Sequence, residues 1–248
     1  MELCSDNLNN IIEEKSKYFQ RQSSEAMNSI EFYISCQLFK ELLESVGYLH
    51  ESNPPIIHRD LKPHNILITE ESLNGRFLKL CDFGLATFDS LTTVSHSVGK
   101  GTPKYMAPEV ANGTMSRTGY NIKADIFSLG VIAQELFNID IYSSVLFNFN
   151  EIIFKLNFIL SSDDVITDNE ELRPKLFEVN ERILKMCYHM YRRRPTCAEL
   201  MSEYCQWGIE CNEVQNSVCY QAQLNVIQNQ SDKFFYKYLS EKLNLVKP

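Results

Sequence analysis

Glycine is nearly absent from the first quarter of the chain. Only Gly47 precedes His58, among 9 glycines in 248 residues, so no glycine-rich loop that brings backbone close to a phosphate can stand there. Basic surface is also scarce. The 24 lysines and arginines face 32 acidic residues, a formal charge of −8, which argues against a general nucleic-acid binder that must neutralise phosphates. The opening residues, "MELCSDNLNNIIEEKSKYFQ", lack the apolar core of a signal peptide. The most apolar later stretch, "SSVLFNFNEIIFKLNFILSS", is interrupted by Asn148, Asn150, Glu151, Lys155 and Asn157 and is not read as a membrane span. The 8 cysteines contain no CxxC pair, which leaves a zinc site little support. With no export signal, the expected setting is the cytoplasm or nucleus, with reduced thiols.

What is present suffices for a proper core, at 44% hydrophobic composition. Residues 30–50 read as a helix, with Ile34, Leu38, Leu42, Val46 and Leu49 in a continuous apolar stripe that ends at the prolines of "ESNPP". "NILIT" and "FLKLC" read as two short strands joined by the turn-rich "EESLNG". Residues 84–118 read as a long loop, of the kind that is usually functional or disordered. "NIKADIFSLGVIAQELF" is apolar nearly all round and reads as a helix buried at the centre of a domain. The chain stays helical in character to about residue 207. Near its end, Phe235, Leu239 and Leu243 share one face of an amphipathic helix.

The chemistry is concentrated in "IIHRDLKPHNILI", residues 56–68, where apolar flanks enclose Asp60, Lys62 and Asn65. A polar centre held between buried flanks marks a loop fixed on a scaffold. Farther on come "DFG" at 82–84 and "GTPKYMAPE" at 101–109. Any one of these alone is weak. The ordered set resembles the signature of the eukaryotic protein kinase superfamily.

That resemblance implies a mainly α, α+β-family fold: the helical C-terminal lobe of a kinase, with a short β-hairpin carrying the catalytic and DFG loops. It implies that Asp60 is the base that orients a substrate hydroxyl and accepts its proton, and that Lys62 neutralises the transferred phosphoryl. Asn65 and Asp82 would hold Mg²⁺, a hard cation suited to hard oxygen donors. ATP would also meet Glu2, Cys4 and Leu67. A lysine at 62 and Thr102 in the "GT" resemble the Ser/Thr branch, with Thr102 bracing Asp60 and Lys62. His58 is expected to pack under Phe83, beside Gly84 of the DFG. Asp125 is expected to accept from backbone N–H groups around His58 and Arg59, and Arg194 to form a buried ion pair with Glu109. Arg192 and Arg193 are read as solvated. Arg59, directly before Asp60, implies a switch by phosphate on Ser97 or Ser95.

The signature comes early. Before His58 there is no glycine-rich loop and no strand lysine in a Val-Ala-Ile-Lys pattern; "MELCSDNL" resembles the hinge between lobes. The expectation is therefore a kinase domain over 1–207, hinge plus large lobe with the small lobe absent, followed by a helical tail over 208–248. When complete it would be a Ser/Thr protein kinase acting on protein substrates; alone, its activity is not expected. The alternative is a truncated, non-catalytic module that binds partners. The face a small lobe covers would be apolar, around Met1, Leu3, Leu67 and Phe83, and open to a partner.

Overall fold

The computed structural model describes residues 4–21, 27–88, 102–111, 121–139, 172–217, 220–228 and 233–245. Among these, the first element is strand β1 (Cys4–Asn7), which runs directly into helix α1 (Leu8–Tyr18). Asn7 caps α1 by accepting from the Asn10 N–H, and Leu8 and Ile11 turn inward. In the sequence this helix is masked by the charged block Glu13, Glu14, Lys15 and Lys17 that follows Ile11 and Ile12.

Helix α2 (Ser29–His50) matches the expected helix at 30–50 and starts where the Asn28 side chain accepts from Glu31 N–H at 2.8 Å. Of its stripe, Ile34, Leu38, Leu42 and Val46 are buried and Leu49 is half-buried, and Ile30, Phe32 and Phe39 widen the buried face. Helix α4 (Ile122–Leu136) follows α3 (Pro108–Ala111) and is buried along Ile126, Leu129, Val131, Ile132 and Ala133. The rings of Phe32 and Phe39 meet Phe137, at the end of α4, at 5.7 and 6.0 Å. The two helices share one core.

Helix α5 (Arg173–Met186) crosses α4 closely at Gly130, where an added Cβ would stand 2.7 Å from Cys187 Sγ. Only a hydrogen fits there. Then come α6 (Cys197–Ser202) and α7 (Tyr204–Trp207), whose Trp207 packs on Phe39 at 5.5 Å and donates to Leu200 O.

Among the described residues the strands form two sheets, one in the order β1, β3 (Ile66–Leu73), β4 (Arg76–Leu80) and the other pairing β2 (Ile56–Ile57) with β5 (Thr87–Phe88). In the first, β3 (Ile66–Leu73) and β4 (Arg76–Leu80) make the expected hairpin. The strand continues through much of the segment read as a turn. Asn74 and Gly75 alone reverse the chain, with φ of 55° and 75°, the left-handed pair that a two-residue hairpin needs. The register shift between Ile68 and Leu73 is filled by Thr69, whose hydroxyl reaches Glu71 O and Phe77 O. The hairpin is not alone either: Cys4, Asp6 and Asn7 pair with Thr69, Ile68 and Leu67.

Part of the long segment at 84–118 is ordered as structure. β5 (Thr87–Phe88) pairs with β2 (Ile56–Ile57), a 3-10 turn spans Pro103–Tyr105, and α3 follows. The tail contributes α8 (Cys211–Gln215), α9 (Tyr220–Gln228) and α10 (Lys233–Lys242). Val214, Leu224, Ile227, Leu239 and Leu243 join the core formed by the earlier helices. The tail thus shares the core of residues before 207.

Candidate active site

The site is assembled by short backbone links. Cys81 N donates to Asn65 O at 3.0 Å, so the stretches that carry Asn65 and Asp82 leave the same end of the β3–β4 hairpin. His58 Nε2 bonds the Cys81 carbonyl at 3.0 Å, and its ring lies 4.9 Å from that of Phe83. Buried Asp125, from the first turn of α4, grips the other side of the loop. Its carboxylate accepts from His58 N and Arg59 N, each at 2.9 Å. Two backbone donors stabilise a buried carboxylate that would otherwise be costly.

A third partner was not foreseen. His50, the last residue of α2, meets Asp125 Oδ2 at 2.9 Å through Nε2. The sequence signal was a histidine closing a buried helix ahead of the "ESNPP" stop. Arg59 adopts φ 74°, a strained conformation for a residue with a Cβ, at the point where Asp125 holds its N–H.

Asp60 is the hub. Its Oδ2 accepts from Lys62 Nζ at 2.9 Å and Asn65 Nδ2 at 3.1 Å, and its Oδ1 from the backbone N–H and the hydroxyl of Thr102 at 3.1 and 3.2 Å. Lys62 Nζ also donates to Thr102 Oγ1 at 3.1 Å, and Asn65 Nδ2 to Asp60 O at 2.9 Å. Burial works to raise the Asp60 pKa, but the hydrogen bond and charge of Lys62, with the two Thr102 donors, outweigh it and hold the carboxyl below its ordinary value.

Asp82 is exposed, at a left-handed φ of 61°, and accepts weakly from Gly84 N at 3.4 Å. Leu67 is half-buried between Asn7 and Lys79, and Phe83 is 47% exposed. Cys4 lies half-buried in β1. Glu2, Ser95 and Ser97, with Met1 and Leu3, lie outside the described residues.

Behind the site, Arg194 forms a bidentate pair with Glu109, both bonds at 2.7 Å, and also donates to Lys123 O and Tyr188 O. Its guanidinium stands 5.0 Å above the Phe127 ring. The Tyr105 hydroxyl donates to Glu135 at 3.0 Å, and Ser128 Oγ donates to Tyr105 O at 2.7 Å. These bonds tie the segment after Thr102 to α4.

An aspartate, lysine and asparagine at this spacing are closed by a threonine and backed by a buried arginine–glutamate pair, in one connected site. The chain belongs to the protein kinase domain family, whose model matches residues 1–205. It is similar to the serine/threonine-protein kinase CTR1 of Arabidopsis thaliana, 42% identical over 96 residues, or 39% of this chain and 11% of that protein. It is also similar to the interferon-induced, double-stranded RNA-activated protein kinase of Rattus norvegicus, 31% identical over 183 residues, 74% of this chain and 32% of that protein. The serine/threonine-protein kinase TIO of Arabidopsis thaliana is 46% identical over 98 residues, 40% of this chain and 7% of that protein. The chain spans less than a third of the length of each of these relatives.

Proposed function

We propose that this chain carries the phosphoryl-transfer residues of a Ser/Thr protein kinase. The observation that carries the reading is the closed network of Asp60, Lys62, Thr102 and Asn65. The four donors fill the acceptor positions of the Asp60 carboxylate. For a substrate hydroxyl to bond there, one donor has to leave. Lys62, on a flexible stem, is the one able to swing from Asp60 to an incoming phosphoryl oxygen and vacate Oδ2. Phosphoryl arrival and hydroxyl docking are thereby coupled. A carboxylate with a lowered pKa stays ionised, orients the hydroxyl and takes its proton late in a loose transition state.

The donor set fits Mg²⁺ and ATP. Both Asn65 Nδ2 bonds point back to Asp60, which leaves the amide oxygen as the free end, and the Asp82 carboxylate is exposed. Mg²⁺ is commonly held by one or two such groups together with substrate phosphates. Bound ATP–Mg²⁺ supplies the transferred phosphoryl and neutralises its charge. On the resemblance alone, Glu2, Cys4 and Leu67 meet the nucleotide, and phosphate on Ser95 or Ser97 engages Arg59.

Residues 1–207 are taken as the kinase unit and 208–248 as a tail strapped onto it. A cytoplasmic or nuclear setting is consistent with the free cysteines of the described residues, none of whose helices is long and apolar enough to cross a membrane.

The assay joins a kinase small lobe ahead of Met1, which supplies a glycine-rich loop and strand lysine, and measures phosphate transfer to Ser/Thr peptides. Transfer is expected, and Asp60→Asn and Asp82→Ala are each expected to reduce it at least about a hundredfold. Transfer that survives both substitutions would overturn the assignment.

A further inference from the structure

The "RRRPT" run contributes one residue to the Glu109 pair, and the proposed function leaves Arg192 and Arg193 without a role. In the fold they line a cavity of about 330 Å³ together with Lys123, Arg182, Lys185 and Arg194. It lies between the start of α4, α5, the Tyr191–Arg193 turn and α6. A protein of net charge −8 thus gathers six of its 24 basic residues around one opening.

The acids nearby, of which Glu199 and Glu203 line the cavity, pair with only three of the six. Arg194 is taken by Glu109, Arg182 by Glu178, Glu181 and Glu203, and Lys185 by Glu181. Glu199 lines the cavity but accepts from the Thr196 N–H and hydroxyl, closing the capping box of α6. Among the described residues, Arg192 and Arg193 face the space with no carboxylate paired to them, and Lys123 feels the charge of Glu199 without a close ion pair to it. Lys123 Nζ is held at its back by Arg194 O at 2.6 Å. Burial lowers its pKa, opposed next by the Glu199 charge, with Arg194 adding a smaller push downward. These are cations in want of an anion.

The lining narrows the choice of anion. Among the described residues, Leu200 and Pro195 are the only apolar ones in the lining and no aromatic residue lines it, so they offer a nucleobase nothing to stack on and an acyl chain little to lie against. A phosphomonoester dianion matches the surplus of charge, and adjacent arginines offer planar forks to its oxygens. The volume is at the lower end of ligand sites, with room for the residues around a phosphorylated side chain.

We propose that this cavity docks a phosphoserine- or phosphothreonine-bearing segment of a partner protein, with Arg192, Arg193 and Lys123 as its phosphate ligands. The site is separate from Asp60 and Asp82, and its occupation does not depend on phosphoryl transfer.

The test is fluorescence anisotropy on the 248-residue chain with a labelled Gly-Ala-phosphoserine-Ala-Gly peptide and its unphosphorylated twin. The phosphopeptide is expected to bind at least about tenfold tighter, a preference that weakens with added salt and is lost in the double variant Arg192→Ala, Arg193→Ala. Both side chains are exposed, so the fold should persist, as a thermal melt will verify. Arg193→Lys, which retains charge but loses the fork, is expected to lie between. Equal binding of the two peptides, or an undiminished preference in the double variant, would overturn the proposal. So would binding to phosphoinositide vesicles with none to the phosphopeptide.

Discussion

At Thr102, one hydroxyl both receives Lys62 and donates to Asp60. Thr102→Val retains the shape and the backbone N–H bond but removes both links. In the two-lobe assay we expect kcat to fall by roughly 10- to 100-fold with little change in KM, because the loss bears on the reacting groups more than on binding. A second residue titrates in an accessible range. Lys15 is buried beside Ser35 Oγ at 2.8 Å, Leu136 O and Glu31, which also pairs with Arg21 at 2.9 Å. Burial lowers its pKa to about 8 from 10.5, with Glu31 opposing and Arg21 assisting. Between those values the unfolded chain binds the proton and the folded one does not, so this group's contribution to stability rises with pH. Denaturant titrations of wild type and Lys15→Met at pH 7 and pH 10 should show wild type gaining on the variant, by at most about 3 kcal/mol. A gap that closes or stays constant would count against it.

At the scale of elements, the hairpin that delivers Asn65 and Asp82 is held from behind. Glu41 of α2 accepts from Phe77 N and Leu78 N at 2.7 and 3.0 Å and pairs with Lys242 of α10 at 2.5 Å. Lys242 Nζ also reaches Gly75 O, and Tyr238 lies 4.9 Å from the Phe77 ring. Helix, hairpin and tail are locked at one carboxylate. Glu41→Ala leaves two strand N–H groups and a cation without their acceptor and is expected to cost about 3 kcal/mol. Hydrogen exchange should quicken at Phe77 and Leu78 ahead of α2. Unchanged protection of those amides would show that the hairpin stands without this anchor.

Across the whole molecule, Asp125 joins three distant parts: the end of α2, the loop before Asp60 and the start of α4. Asp125→Ala leaves two buried backbone donors unsatisfied and a histidine without its partner, for roughly 3–5 kcal/mol of lost stability. Activity in the two-lobe assay should fall with it, since the strained turn at Arg59 that aims Asp60 depends on those bonds. Full activity in a well-folded variant would sever the link between this anchor and catalysis.

The ordered motifs, the α2 stripe and the all-round apolar α4 were legible in the sequence because each is local: a spacing, a period of 3.6, a turn residue. Asp60, Lys62, Asn65, Thr102, Asp125 and the Arg194–Glu109 pair could be named through resemblance for the same reason. Four things became visible only in three dimensions. His50 reaches Asp125 from 75 residues away; Lys15 is buried inside a helix that looks solvated; Glu41 binds a hairpin its own helix never signals. The cavity at Arg192 and Arg193 exists only because α4, α5 and α6 converge there. Local patterns determine which elements form and which residues could react. Burial and charge balance depend on what the rest of the chain brings alongside, and tertiary packing alone decides that.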